Sequence, residues 1–338
     1  MNRLRKKISK NLTTEFKELN SQRSQSKLRA LCENPLWLMK NKIIIIAGPT
    51  ASGKTDLAIA AAKHFNTEII SADSRQCFKE LGIAVAKPSA AQLAEVPHHF
   101  INSHSIAENV SAADFERYAL AVAEKIFEQN NIAVMCGGTG LYIRAFCEGL
   151  DYIPETAPEL KKQFREQVSV NGIEWLQAEV KKADPLFWEY GEIQNPHRLV
   201  RALEVIRGTG KSVLSFRQYK KKERDFDILK FSLELPRETL YERINTRTDK
   251  MRELGLKEEA AALMPFRQRN ALQTVGYTEL FDFFDNKVSE EKAFELIKQH
   301  TRNYAKRQMT WFRKEGFKMI TGINAPTDLY RFISEIGD

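Results

Sequence analysis

Ile43-Ile44-Ile45-Ile46-Ala47-Gly48-Pro49-Thr50-Ala51-Ser52-Gly53-Lys54-Thr55 is an apolar run that breaks into a glycine-bounded octapeptide. The run has the length and β-branched content of a buried parallel strand, and Leu57-Ala58-Ile59-Ala60 behind the octapeptide opens a helical pattern. A strand, then G-x-x-x-x-G-K-T, then a helix is the phosphate loop in its required setting. Glycines at 48 and 53 let the backbone curl until successive N–H groups and the dipole of the next helix converge on one anion. Lys54 reaches the terminal phosphate oxygens, and the Thr55 hydroxyl is placed to ligate a Mg²⁺ that neutralises the remaining charge. Gly48, Pro49, Thr50, Ala51, Ser52, Gly53, Lys54 and Thr55 are therefore the expected diphosphate-binding set, with Thr55 the metal ligand. The expected fold class is α/β, a P-loop NTPase-like parallel sheet flanked by helices. The loop does not say whose diphosphate it holds.

The chain has 338 residues, 43% of them apolar, which is enough to bury one large or two modest cores. No apolar stretch approaches the roughly 18 residues of a membrane span, and the N-terminus lacks the apolar core of a secretory signal. A cytoplasmic location without a membrane partner is expected. Cys32, Cys77, Cys136 and Cys147 show neither C-x-x-C spacing nor the density of a disulfide scaffold, and are read as reduced and structural. The net charge of +8 is carried entirely by residues 1–42, which hold 11 Lys/Arg against 3 Asp/Glu. The remaining 41 basic and 41 acidic residues cancel. Bulk charge therefore says nothing about nucleic acid, and only local clusters can. Residues 1–41 are read as a mobile basic extension, or as an upstream segment that a start at Met39 would omit.

Beyond the loop, Glu68-Ile69-Ile70-Ser71 reads as a second strand that delivers Asp73, Ser74, Arg75 and Gln76 to the same sheet edge. Ligands of such sheets bind beyond the carboxyl ends of the strands, so Asp73 is placed to act as a base or beside a metal. Its competing role is a helix N-cap. A third strand, Ile132-Ala133-Val134-Met135-Cys136, ends in Gly137-Gly138-Thr139-Gly140. An ordinary P-loop ATPase places a Mg²⁺-holding Asp there; the glycines instead imply close passage of the backbone past something bulky. The core is expected over 42–150 and again over 226–338, interrupted at 151–225 by an inserted helical domain with patterns at 158–168 and 172–182.

Eight ordered motifs resemble the tRNA dimethylallyltransferase family of bacterial type: GPTASGKT at 48–55, SADSRQ at 71–76, KP at 87–88, VPHH at 96–99, SAADF at 111–115, GGTGLY at 137–142, RLVRALEV at 198–205 and TRNYAKRQMTWFR at 301–313. The resemblance covers roughly residues 42–316. It implies that the loop holds dimethylallyl diphosphate, and that the exocyclic amine of the adenosine 3′ to the anticodon (position 37) attacks the first prenyl carbon and expels diphosphate. The implied substrates are tRNAs reading codons that begin with U, met through the anticodon stem-loop, and a monomer is expected. Asp73 matches the family's general base and Thr139 its tRNA-contacting threonine, which with Lys54 form the catalytic set. Arg247, more strongly than Arg243 one helical turn away, matches the diphosphate clamp. The resemblance assigns Asp73, Ser74, Arg75, Gln76, Thr139, Lys161, His197, Arg198, Leu199, Val200 and Arg201 to tRNA. Cys77-Phe78 depart from the family's usual aliphatic residue and tyrosine. The zinc-finger extension of eukaryotic relatives is lacking, and no structural zinc is expected.

The basic and aromatic residues of the C-terminal stretch, Arg302, Lys306, Arg307, Arg313, Tyr304, Trp311 and Phe312 among them, suit phosphate contacts and base stacking; the competing reading packs the aromatics inward. Arg198 and Arg201 otherwise read as a solvated helix face, and Arg217–Arg224 as a loop on the anticodon stem. Adjacent His98 and His99 point to opposite faces of a strand and make a poor metal site. Two other classes share the loop. A small-molecule kinase using ATP explains residues 43–75 equally well but leaves the later motifs without a role, and a non-catalytic RNA-binding ATPase lacks the strand-end Asp.

Overall fold

Five isoleucine and alanine positions in succession cannot face water, and the chain builds its sheet around them. The computed structural model of the chain describes residues 40–217 and 220–321. All but the last two residues of the basic extension lie outside them. The chain forms two compact units, Met1–Tyr142 with Asp225–Asp338, and Ile143–Arg224.

In the first unit, β1 (Lys42–Ala47) runs into the loop and helix α1 (Lys54–His64). Then come β2 (Ile69–Ala72), α2 (Ala90–Glu95), β3 (His98–His99), α3 (Ala112–Phe127), β4 (Ile132–Gly137) and α4 (Gly140–Glu148), which carries the chain into the second unit. There α5 (Pro158–Ala183), α6 (Pro185–Tyr190) and α7 (Pro196–Thr209) follow. The chain returns as β5 (Asp227–Leu233), α8 (Arg237–Glu253), α9 (Leu256–Leu263), α10 (Tyr277–Phe284), α11 (Glu290–Lys314) and β6 (Lys318–Ile320).

The sheet order is β3-β2-β4-β1-β5-β6, with every neighbouring pair parallel. β1, β2 and β4 are the strands legible in the sequence. β3 is two residues long and β6 three, too short for any periodic signal, and β5 carries Asp227 and Lys230 in a pattern that does not read as a buried strand. Ile44, Ile46, Val134, Cys136, Phe231 and Leu233 pack with Leu57, Ala58, Ala61 and Ala62 of α1 in one cluster. The alternate residues Ile43, Ile45, Ala133 and Met135 are equally buried, so both faces of the central strands are covered. Ser111 and Asp114 form a capping box at α3, and Phe115 stacks on Tyr142 with centroids 4.5 Å apart. Two of the sequence motifs thus hold the fold.

The second unit starts at Ile143, ahead of the expected 151, because the end of α4 is bonded to the segment that closes the unit. The Lys222 N–H donates to Glu148 O (2.9 Å), and the Arg224 guanidinium to the carbonyls of Phe146 (2.8 Å) and Ala145 (3.1 Å). The two helical patterns at 158–168 and 172–182 meet at Gly172, whose φ of 75° breaks α5 into two helices. Leu176, Val180, Phe187, Leu199, Leu203 and Val213 form its core.

At the carboxyl edge of the sheet, Ala47 and Ala72 both stand in register with Gly137. A Cβ on Gly137 would sit 2.2 Å from the Ala72 carbonyl oxygen. Gly137→Ala must therefore part β2 from β4, and its urea unfolding midpoint is expected to fall by the equivalent of about 1–3 kcal/mol. An unchanged midpoint would show that the strand ends yield freely.

Candidate active site

The loop after β1 has a defined backbone shape. Ala51 adopts a left-handed φ of 65°, and Gly53, at φ 88°, caps α1, so the first N–H groups of the helix open toward the loop. The Ser52 N–H donates to Pro49 O (3.3 Å), as does the Lys54 ammonium (3.3 Å). Burial pulls the Lys54 ammonium below its ordinary pKa, against the opposing pull of Cys136 and Asp73. From α8, Arg247 is pushed down to about 10 by burial, with Asp73 acting the other way. The buried Ser52 Oγ and the Arg247 Nε have no hydrogen-bond partner among the described residues. Buried cations and orphaned donors cost free energy unless an anion meets them. Together they make an arrangement suited to meeting an anion. Arg243, exposed one turn before Arg247, has its guanidinium 3.8 Å from the position a Cβ on Gly53 would take, at the loop's outer lip.

Asp73 stands directly after β2. Its Oδ1 accepts from the N–H groups of Arg75 (2.9 Å) and Gln76 (3.2 Å), so the capping role is real. That role uses one oxygen. The other makes no hydrogen bond among the described residues, and the carboxylate's charge acts on Lys54, Arg247 and the Tyr304 phenol. Thr139 ties the neighbouring turn to the same place: its N–H donates to Ala72 O (3.1 Å) and its Oγ1 accepts from the Ser74 N–H (3.0 Å). Beside the Thr139 hydroxyl lies Tyr304 of α11, whose phenol is pushed up to about 12 by burial and then by Asp73, while the residue remains 37% exposed. Lys54, Asp73, Thr139 and Arg247 thus converge on one strand edge of the first unit.

Other motif residues of this unit have their side chains committed to the scaffold. Arg75 donates to Asn270 O (2.8 Å), and Gln76 to the carbonyls of Val85 (3.2 Å) and Ala86 (3.1 Å). Lys87 holds Phe78 O and Asn102 Oδ1, both at 2.6 Å. Cys77 and Phe78, which depart from the family pattern, are both buried. His99 pairs with Glu68 (2.5 Å) and His98 with Val96 O (2.8 Å). On α11, Phe312 is fully buried, and Trp311 lies against Gly140, where a Cβ would meet the indole at 2.6 Å. Inward packing therefore accounts for Phe312 and for much of Trp311, which stays partly exposed, and Tyr304 is the most exposed of the three. Sequence reading passed over Gln308, a buried amide on α11 between the apolar Ala305 and Phe312 at helical spacing; polarity inside such a stripe was the available signal.

The remaining candidates belong to the second unit. His197 is exposed at the start of α7, where Asn195 caps the helix by accepting from the N–H of His197 (3.1 Å) and Arg198 (3.4 Å). Arg198 pairs with Glu192 at 2.7 Å. Arg201 meets the buried Glu204 at 3.3 Å. Leu199 and Val200 are buried in the unit's core. Lys161 falls on α5, with its side chain outside the described residues. In the basic run 217–224, Lys221 pairs with Glu148 at 2.5 Å and Arg224 binds the α4 carbonyls, so part of its charge serves the unit itself; residues 218–219 lie outside the described residues.

The family model for IPP transferase matches residues 76–315. A tRNA dimethylallyltransferase of Christiangramia forsetii is 49% identical over 277 residues, 82% of this chain and 92% of that protein. One of Cytophaga hutchinsonii is 45% identical over 274 residues, 81% and 90% of the two chains. Among solved structures, the full-length tRNA isopentenylpyrophosphate transferase of Bacillus halodurans is similar with a TM-score of 0.64 and 33% identity, covering 88% of this chain and 96% of that one.

If Arg247 and Lys54 complete the cradle, inorganic pyrophosphate measured by titration calorimetry should bind about 10- to 100-fold more weakly to Arg247→Ala and to Lys54→Ala, the worth of a hydrogen bond to a charged group. Undiminished binding to folded Arg247→Ala would remove that residue from the cradle.

Proposed function

The chain belongs to the tRNA dimethylallyltransferase family, and on that footing we propose that it transfers a dimethylallyl group from dimethylallyl diphosphate to the exocyclic amine of the adenosine 3′-adjacent to the anticodon (position 37), in tRNAs reading codons that begin with U. The observation that carries the proposal is the meeting of an anion cradle (Lys54, Arg247 and the loop N–H groups) with a carboxylate, Asp73, that keeps one oxygen open. The amine nitrogen forms a bond to the first prenyl carbon as the bond from that carbon to the diphosphate oxygen breaks. The nitrogen becomes cationic and gives its proton to Asp73; the diphosphate leaves with the bonding pair. Negative charge grows on the leaving group, so donors already aimed at it favour the transition state over the bound donor. Asp73 in turn favours the developing cation on the amine.

Mg²⁺ fits this chemistry. The loop offers hard oxygen donors, Thr55 and the unpartnered Ser52 Oγ, and no group of three His, Cys, Asp or Glu is arranged for a metal among the described residues. Thr55 would hold the ion jointly with the diphosphate oxygens, and the ion would supply further neutralisation of the leaving group.

Adenine must leave the stack to reach the strand edge. Thr139, with the backbone of Ser74, Arg75 and Gln76, would meet the flipped nucleotide, and Tyr304 offers it an aromatic face. His197, Arg198, Arg201 and Lys161 would take the tRNA backbone from the second unit, with Leu199 and Val200 holding α7 in place. No helix among the described residues is long and apolar enough to cross a membrane, and the proposal takes the protein as a cytoplasmic monomer. The kinase reading is not favoured, since the relatives are dimethylallyltransferases.

Purified protein, Mg²⁺ and labelled dimethylallyl diphosphate should place label on that adenosine alone in an unmodified tRNA, and labelled ATP should transfer nothing. Asp73→Ala should abolish turnover while tRNA affinity stays at the wild-type value; retained turnover would take the base role from Asp73. For Arg198→Ala the slope of log affinity against log salt should fall by about one. An unchanged slope would leave Arg198 to its pair with Glu192.

A further inference from the structure

Gln308 is buried on α11, and its carboxamide makes two hydrogen bonds to segments far apart in sequence. Its Oε1 accepts from the Thr50 N–H in the diphosphate loop (3.0 Å), and its Nε2 donates to the Gly138 carbonyl in the turn that carries Thr139 (2.8 Å). A Cβ on Gly138 would stand 2.3 Å from that Nε2, so Gly138 lacks a side chain where the carboxamide passes. The same face of α11 meets both segments again on either side. Three residues earlier, Ala305 joins Leu240 and Ile244 in a cluster against which Ala51 of the loop packs. Three residues later, the Trp311 indole lies against Gly140 at the far end of the turn.

We propose that Gln308 is a positioning residue for the transfer, tying the donor loop to the acceptor turn so that the prenyl carbon and the adenine amine are held in one geometry. The proposal deepens the reading above, in which loop 48–55 takes the donor and Thr139 meets the acceptor. An amide is the side chain that suits the place, because it presents an acceptor and a donor on one planar group. Thr50, expected from the sequence among the diphosphate contacts, instead gives its N–H to Gln308, and the middle of the loop is thereby pinned to the protein. Between two bound substrates, a shift of about 1 Å costs on the order of 100-fold in rate without weakening either one. Gln308→Glu keeps the bond from Thr50 but sets an acceptor against the Gly138 carbonyl. Gln308→Met keeps the volume and loses both bonds.

The test is single-turnover transfer at saturating donor and tRNA, with both dissociation constants and the thermal midpoint measured on the same preparations. For Gln308→Met and Gln308→Glu the rate constant should fall about 10- to 100-fold, while tRNA affinity stays at the wild-type value and the protein remains folded at the assay temperature. Gly138→Ala disturbs the same carboxamide from the other side, so the Gly138→Ala/Gln308→Met pair should lose little more than the worse single variant. A wild-type rate constant in folded Gln308→Met, a loss matched by the unfolded fraction or by weaker tRNA binding, or strictly additive losses in the pair would each overturn the proposal. A wild type that transfers no label would remove the donor reading, and the tie with it.

Discussion

Everything at the site depends on how closely three parallel strands approach at their carboxyl ends. Ala47, Gly137 and Ala72 stand side by side there, and no side chain larger than hydrogen fits at the middle position. Because those ends are level, the segments that leave them start from one line. The loop after β1 carries Lys54 and the proposed anion cradle, the segment after β2 carries Asp73, and the turn after β4 carries Thr139. A cation-lined anion site and an open carboxylate oxygen then come together without either being built on a long, mobile loop. The hydrogen bond from Thr139 N–H to Ala72 O continues the ladder one step past the sheet and keeps the second and third of these segments in step.

Opposite charge requirements are met by burial as much as by residue type. Burial lowers the pKa of both Lys54 and Arg247, and a bound anion, as proposed, would offset that cost. The charge of Asp73 opposes both shifts, and in the proposed reaction the same carboxylate takes the proton of the amine. The second unit is organised differently. Both arginines of its α7 face are paired with acidic neighbours, Arg198 with Glu192 and Arg201 with Glu204.

The phosphate loop was legible because its constraint is local: two glycines, a lysine and a threonine at fixed offsets behind a fully apolar strand. Asp73 was legible as a candidate for a related reason, since it directly follows an apolar strand; Thr139 was singled out by the family resemblance. β3, β5 and β6 were not, since pairing along an existing sheet lets short or half-polar segments become strands without any periodicity of their own. In the family resemblance Arg75 and Gln76 are tRNA contacts; their side chains here hold backbone carbonyls, Arg75 that of Asn270 and Gln76 those of nearby Val85 and Ala86. The helix Glu290–Lys314 looked like a stacking platform, yet its Trp311 and Phe312 pack inward and its buried Gln308 joins two segments. Such roles are set by partners 170 and 258 residues away, and no window of sequence contains them.

The most direct measurement is a structure of the protein with a non-reactive thiodiphosphate analogue of the donor and an anticodon stem-loop. The account places the diphosphate on the N–H groups of residues 52–55 with Lys54 and Arg247 against it. It also places the exocyclic amine of the flipped adenine within about 2.6–3.2 Å of Asp73, the reach of a general base. A diphosphate bound outside the loop, or an adenine amine held by another group with Asp73 facing away, would contradict it.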